Sequence, residues 1–241
     1  MAGHSQFANI KHRKSAQDTK KAKLFTKLQR EITVSAKTGQ ADPEFNARLR
    51  NAIITARTNN MPKDRIDSAV KKATLVGDSD NFEEIRYEGY GINGVAFIVE
   101  ALTDNRNRTA GEIRSIFSKS GGSLGESGSV AFMFYHIGFI KYEAKIADED
   151  LMFKIALESG ATDVQNNQDW HIIMCEPQSF SQVRDILIAK LGDPQTAKLT
   201  WKPKNTIDLD SETTVKILKL VDLLEDNDDV QLVASNYIIP D

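Results

Sequence analysis

The segment Gly3-His4-Ser5-Gln6-Phe7-Ala8-Asn9-Ile10-Lys11-His12-Arg13-Lys14 carries cations and no acid, and Lys20, Lys21, Lys23, Lys27 and Arg30 follow it. The chemistry open to such a run is neutralising phosphates. Each cation laid on a polyanion releases condensed counterions and supplies affinity without reading a base. Phe7, the one aromatic in the run, can stack on an exposed base. A tail that only aids solubility would carry similar charge, but Arg48, Arg50, Arg57, Lys63, Lys71 and Lys72 add to it from the residues behind. The expected nucleic-acid contacts are therefore Phe7, Lys11, His12, Arg13, Lys14, Lys20, Lys21, Lys23, Lys27 and Arg30.

A second constellation is Thr103-Asp104-Asn105-Arg106-Asn107-Arg108-Thr109, between an apolar strand-like run and a helix-like one. A loop feeding a helix N-terminus offers free N–H groups and the positive end of the helix dipole to an anion. Arg106 and Arg108 add forked donors that match phosphate. Asn105, Arg106, Asn107 and Arg108 are thus a candidate phosphate or RNA loop; equally, Asp104 can pair with one of the arginines and hold the loop internally.

The remaining clusters point away from chemistry. Gly121-Gly122-Ser123-Leu124-Gly125 follows a helix and precedes a strand, the reverse of a nucleotide-binding loop, so its first glycines are read as a left-handed helix end. Asp222, Glu225, Asp226, Asp228 and Asp229 lack a calcium-loop pattern and read as a solvated acidic face. His4 and His12 have no second ligand at metal spacing, and His136 and His171 sit in strand-like apolar runs as core or edge residues. The single cysteine, Cys175, reads as a small core residue. No catalytic set, metal, cofactor or small-molecule substrate is expected.

These groups need elements to position them. Leu24, Phe25, Leu28 and Ile32 recur at helical spacing and predict a helix from Ser15 to about Lys37. Asp42-Pro43 reads as the start of a second helix with Phe45, Leu49, Ala52, Ile53 and Ala56 on its apolar side. Met61-Pro62 opens a third, with Ile66, Ala69, Val70 and Ala73 together. Gly77–Asn81 reads as a linker. After it the pattern becomes mixed. Strands are expected at 83–87, 95–102 and 130–135, and a helix at 109–119 opened by Thr109 and Glu112 in capping-box spacing. From Phe139 the order reads βαββαβ, the ferredoxin-like order, and the tail adds a helix at 211–225 and a strand at 231–239. The expected fold is a multidomain α+β chain: a three-helix bundle at 1–77, then two α/β domains of ferredoxin-like type. The second, 138–204, is inserted in the first, 82–137 plus 205–241.

Charge divides along the same line. Residues 1–77 hold ten lysines and six arginines against six acids, while the rest of the chain is acidic enough to bring the net charge to −3. A cationic module tethered to an acidic body suits a polyanionic partner. No apolar stretch reaches the roughly 18 residues a membrane span needs, and the N-terminus lacks the apolar core of a secretion signal. A cytoplasmic protein is expected, with no membrane partner.

Several motifs, in order, resemble the YebC/PmpR family along essentially the whole length. They are Met1-Ala2-Gly3-His4-Ser5, Ala8-Asn9-Ile10-Lys11-His12-Arg13-Lys14, Phe25-Thr26-Lys27-Leu28, Arg30-Glu31-Ile32-Thr33, Asn60-Met61-Pro62-Lys63-Asp64, Tyr87-Glu88-Gly89-Tyr90-Gly91, Thr103 to Thr109, and Gly121 to Gly125. The family's mitochondrial relative is the translational activator of cytochrome oxidase. The resemblance implies a helical bundle and two α/β domains, one inserted in the other. It also implies a regulator with no chemistry of its own, binding either the ribosome, to support translation through stalling proline-rich sequences, or DNA, as a transcriptional regulator. Backbone gripping with no edge of base-reading side chains favours shaped ribosomal RNA over promoter DNA. A protein-interaction adaptor is the reading from another class. Phe7 stands where the family pattern has Trp, and Ile92-Asn93 replaces a Pro-Gly pair.

Overall fold

The computed structural model of the chain describes residues 17–74 and 81–239, the first four of these by backbone alone. Contacts gather the chain into two compact units, one of Met1–Lys27, Ser79–Tyr135 and Trp201–Asp241, the other of Leu28–Asp78 and His136–Thr200. The chain is a mixed α+β protein with antiparallel sheets.

Helix α1 (Gln17–Thr38) runs from the first unit into the second. Phe25, Leu28 and Ile32 are buried at helical spacing; Leu24, expected on the same face, is 37 % exposed. Helix α2 (Ala47–Thr58) begins later than expected. The Asp42 carboxylate accepts the Glu44 N–H at 2.9 Å and makes a turn rather than a cap. Asn46 is the cap: its side chain accepts the Leu49 N–H at 3.0 Å and donates to Ser35 O at 2.7 Å and Gln40 O at 2.8 Å. A buried amide that also satisfies the end of α1 outcompetes an exposed carboxylate for the helix start. Phe45 consequently lies outside α2 and is 74 % exposed, not on an apolar face. Helix α3 (Lys63–Thr74) starts after Pro62 as expected and buries Ile66 and Ala69.

In the first unit β1 (Glu83–Tyr90) and β2 (Ala96–Thr103) pair as an antiparallel hairpin. Its turn places Asn93 at φ 56° and Gly94 at φ 73°, and Asn93 Nδ2 donates to Thr213 Oγ1 at 3.1 Å. Asparagine tolerates this left-handed region where most residues do not. Helix α4 (Arg106–Lys119) is followed by β3 (Ser123–Leu124), which pairs with β1. Gly121, at φ 74°, ends the helix left-handed, as read from the sequence. Helix α7 (Ser211–Glu225) leads to β9 (Val230–Ser235), which pairs with β2, giving the order β3-β1-β2-β9. Short β8 (Ile207–Asp208) and β10 (Tyr237–Ile238) pair in parallel. The order here is ββαβ and then αβ, not the ferredoxin-like βαββαβ, because the tight turn after β1 leaves no room for a crossover helix.

Strand β2 is buried on both faces. Phe97, Val99 and Ala101 pack with Ile113 and Phe117 of α4 and Ile217, Leu220 and Leu224 of α7. Ala96 and Ile98 pack on the other side with Val130, Phe134 and Trp201. The strand expected at 130–135 is instead a 3₁₀ turn, Ala131–Met133, with β4 (Phe134–Glu143) beginning only after it. The cause is Glu88, whose buried Oε2 accepts the N–H groups of Val130 at 2.9 Å and Ala131 at 2.8 Å and so removes them from strand pairing.

In the second unit β4, α5 (Glu149–Ser159), β5 (Asp163–Asn166), β6 (Trp170–Cys175), α6 (Phe180–Leu191) and β7 (Thr196–Pro203) follow the βαββαβ order, with strands arranged β5-β6-β4-β7. Ile140, Ile173, Met152, Val183 and Leu187 form its core. Cys175 is buried there, and burial pushes its thiol up to about 11. His171 is buried and bonded through both ring nitrogens, whereas His136 is exposed.

Candidate nucleic-acid interface

Phe7, Lys11, His12, Arg13 and Lys14 lie outside the described residues, and so does the side chain of Lys20. The described cations of α1 separate into two groups. Lys21 is exposed, its Nζ 5.6 Å from the Phe25 ring centroid. Lys23 and Lys27, one helical turn apart, reach the end of α7. Lys23 Nζ donates to Asp226 O at 3.1 Å and lies 3.4 Å from Asp226 Oδ1, and Lys27 Nζ donates to Glu225 O at 2.6 Å. The last carbonyls of a helix lack partners within it and carry the negative end of the dipole, so two ammonium groups cap them favourably. Burial lowers the Lys27 pKa, opposed by Glu225, Asp228 and Asp226 nearby. Arg30 is half-buried and engaged in contacts of its own.

The loop before α4 is also drawn inward. The helix starts at Arg106, three residues before the expected capping box, because Asn105 accepts the Arg108 N–H at 3.1 Å and Thr103 Oγ1 accepts the Asn105 N–H at 2.9 Å. Thr109 then falls inside the helix, fully buried, and Glu112 accepts from Asn227 instead. One oxygen organises the loop. Asp229 Oδ2 accepts from Arg108 Nη2 at 2.8 Å, Thr109 Oγ1 at 2.6 Å and Thr103 Oγ1 at 3.2 Å. Arg108 donates also to Asp104 Oδ1 at 2.9 Å. These bonds, that to Asp229 foremost, hold the guanidinium pKa above its ordinary value. Asp229 is only 4 % exposed, which corrects its reading as part of a solvated acidic face; Glu225, Asp226 and Asp228 are exposed.

Arg106 points the other way. It is exposed, and its side chain has no hydrogen bond or ion pair with the described residues; its charge partly restrains the Tyr87 hydroxyl, whose pKa burial raises. Asn107 is exposed beside it. Of the four loop candidates, Asn105 and Arg108 build the loop while Arg106 and Asn107 face solvent. Among the described residues no group of three His, Cys, Asp or Glu side chains could hold a metal ion, and no helix is long and apolar enough to cross a membrane.

Residues 5–75 match the TACO1/YebC protein N-terminal domain, and residues 82–237 match the TACO1/YebC second and third domain. The chain belongs to the TACO1/YebC family. It is also similar to the crystal structure of a conserved hypothetical protein, Aq1575, from Aquifex aeolicus, with 45 % sequence identity over 98 % of each chain and a TM-score of 0.86. Measured against the motifs that carried the sequence resemblance, this TACO1/YebC chain uses Thr103 to Thr109 for two purposes at once, an internal clamp and an outward arginine.

That division makes Arg106 and Arg108 separable by mutation. Arg106→Ala is expected to leave the urea midpoint in place, within about 0.5 kcal/mol, while weakening oligonucleotide binding. Arg108→Ala is expected to lower folding stability by about 1–2 kcal/mol, since it strips a charged donor from a buried carboxylate. Equal stability losses from the two would show that the loop is scaffold throughout.

Proposed function

We propose that this TACO1/YebC chain is a non-enzymatic, cytoplasmic nucleic-acid-binding regulator of gene expression that grips phosphate backbones through its basic N-terminal part. Ribosomal RNA is the favoured target, with support of translation through stalling sequences as the role; regulation of transcription through DNA is the second reading. Residues 138–204 act in this reading as a domain inserted in the other α/β domain, 82–137 plus 205–241. The observation that supports it is the segregated charge: sixteen basic and six acidic residues in 1–77. Lys23 and Lys27 are bound to the end of α7, so the grip falls to Lys11, Arg13, Lys14, Lys20 and Lys21, with Arg106 adding to it. Such a grip reads no sequence by itself.

The test is a salt titration. Binding of fluorescent RNA and DNA is followed by anisotropy as salt rises, for the native chain and for Lys11→Ala/Arg13→Ala/Lys14→Ala. The variant is expected to bind more weakly and to flatten the slope of log affinity against log salt by about one phosphate contact per charge removed. An unchanged slope removes the N-terminal segment from the interface. Crosslinking in cells with sequencing of the attached nucleic acid then separates the targets: large-subunit ribosomal RNA supports the translational reading, promoter fragments the transcriptional one.

A further inference from the structure

The 3₁₀ turn Ala131–Met133 and the first residues of β4 lie far along the chain from the basic segment, and they hold two large aromatics out of the core. Phe132 is 67 % exposed and Tyr135 56 % exposed. Both neighbours on the inward side are deeply buried: Val130 at 0 % and Phe134 at 4 % pack with Ala96, Ile98, Trp201 and Ala234. The backbone between them is fixed from three directions. Glu88 takes the N–H groups of Val130 and Ala131; Tyr90 Oη donates to Ser129 O at 2.9 Å; the Lys204 N–H donates to Met133 O at 2.9 Å. Burial pushes the Glu88 carboxyl up, but the N–H donors of Val130, Gly128 and Ala131 and the Arg86 charge outweigh it, so it stays ionised and holds the turn.

Rigid exposure of this kind runs against the hydrophobic effect, since a buried aromatic contributes about 1.5–3 kcal/mol that an exposed one forgoes. The surroundings say what would cover it. Lys204 Nζ lies over the Tyr135 ring, 4.8 Å from its centroid, placing an ammonium group beside one of the two exposed aromatics. Arg86 lies over Trp201 at 5.0 Å on the same unit, paired at 3.2 Å with Glu88. The carboxylates within this cluster, Glu88 and Glu100, are turned inward: one accepts the turn, the other the Trp201 indole N–H at 2.8 Å. Exposed aromatic rings beside a lysine, with Glu88 and Glu100 engaged in bonds of their own, match an unpaired base and its phosphate. A base in a duplex has both faces covered, so a strand without a partner is the form that fits.

We propose that Phe132 and Tyr135 are a stacking platform for single-stranded nucleic acid, with Lys204 pairing a phosphate of the stacked strand. The proposal rests on the reading that the chain binds nucleic acid, and it adds a contact outside the N-terminal part. It makes the molecule a two-point binder: cations that grip any backbone, and a platform that requires unpaired bases.

The experiment uses the full chain and fluorescent oligomers of about 12 nucleotides, a length within known single-strand site sizes: oligouridylate, the DNA equivalent, and a matched duplex. Phe132→Ala/Tyr135→Ala is expected to weaken single-strand binding about tenfold or more, with duplex binding and the salt slope unchanged. Lys204→Ala is expected to reduce the single-strand slope by about one. Phe132→Trp should retain affinity and Phe132→Leu, equally apolar, should lose it; both hold the fold constant, as a thermal melt verifies. Equal losses for RNA and DNA are expected if stacking alone binds, and a loss confined to RNA places a 2′-hydroxyl contact beside the platform; either supports it. If the native chain binds the oligomers, the tail variant weakens them and Phe132→Ala/Tyr135→Ala does not, the platform is overturned while the proposed function stands. If the native chain binds no nucleic acid at low salt, both fall. Concentration-dependent self-association of the native chain abolished by Phe132→Ala would assign the patch to a second copy and overturn the platform.

Discussion

Asp229→Ala lowers the folding stability of this chain by about 3 kcal/mol, the largest loss expected from any single acidic residue in its C-terminal run. The side chain is nearly inaccessible, and a single oxygen collects Arg108, Thr109 and Thr103 at 2.8, 2.6 and 3.2 Å. Removing it leaves the Arg108 guanidinium with Asp104 on the exposed side and a 3.4 Å bond to Thr103 Oγ1, and returns two fully buried hydroxyls to partial satisfaction. The backbone is not at fault in such a variant, because the Asp229 carbonyl still accepts the Leu102 N–H at 2.8 Å. Asp229→Asn retains volume and one acceptor but no charge, and is expected to lose about half as much. Urea unfolding measures both. A loss for Asp229→Ala no larger than for the exposed Asp228→Ala would show that the junction carries no energy. The consequence extends to function, because Asp229 holds the start of α4 and with it the direction in which Arg106 points.

The helices, and the βαββαβ run after Phe139, were legible in the sequence because they rest on periodicity, whereas the strand expected at 130–135 and the ferredoxin-like order of the first α/β domain were not. Phe25, Leu28 and Ile32, or Ile217, Leu220 and Leu224, bury the face their spacing declares. Helix starts were less legible where two caps compete. Asp42 and Asn46 are both good caps, and so are Asn105 and Thr109; the winner is the side chain that also satisfies something distant in sequence, Ser35 O for Asn46 and the Asp229 system for the α4 start. The site was legible by charge and illegible by partner. Lys23, Lys27 and Arg108 have the residue types of phosphate ligands, and a count of charges cannot say that their counter-ions are the end of α7 and Asp229. The acidic run that read as a solvated face is in part that internal partner. Nor did any pattern single out Phe132 and Tyr135, since their exposure depends on a carboxylate, Glu88, more than forty residues earlier.

Asp185→Ala should cost about 3–5 kcal/mol while Arg184→Met costs nothing or stabilises. Arg184 is fully buried in α6, and its Nε and Nη2 donate to Asp185 Oδ1 at 2.9 and 2.7 Å, with the Phe180 ring 5.7 Å from its charged centre. Its Nη1 is buried with no hydrogen-bond partner. Asp185 is the carboxylate that compensates this cation, and its other oxygen accepts from Arg50 Nη2 at 3.0 Å. Arg50 in turn donates to the carbonyls of Pro43 and Glu44 at 2.8 and 3.1 Å, so the acid also ties the turn before α2 to α6. Deleting the acid strands a charge in the interior; deleting the cation removes that charge together with an unsatisfied donor. The decisive measurement is the cycle. In the Arg184→Met background Asp185→Ala is left with only the half-exposed Arg50 pair to lose and is expected to cost under about 1 kcal/mol. A cost for Asp185→Ala that is the same in both backgrounds would mean that the buried arginine does not depend on its neighbour, and that the ion pair to Arg50 carries the whole effect.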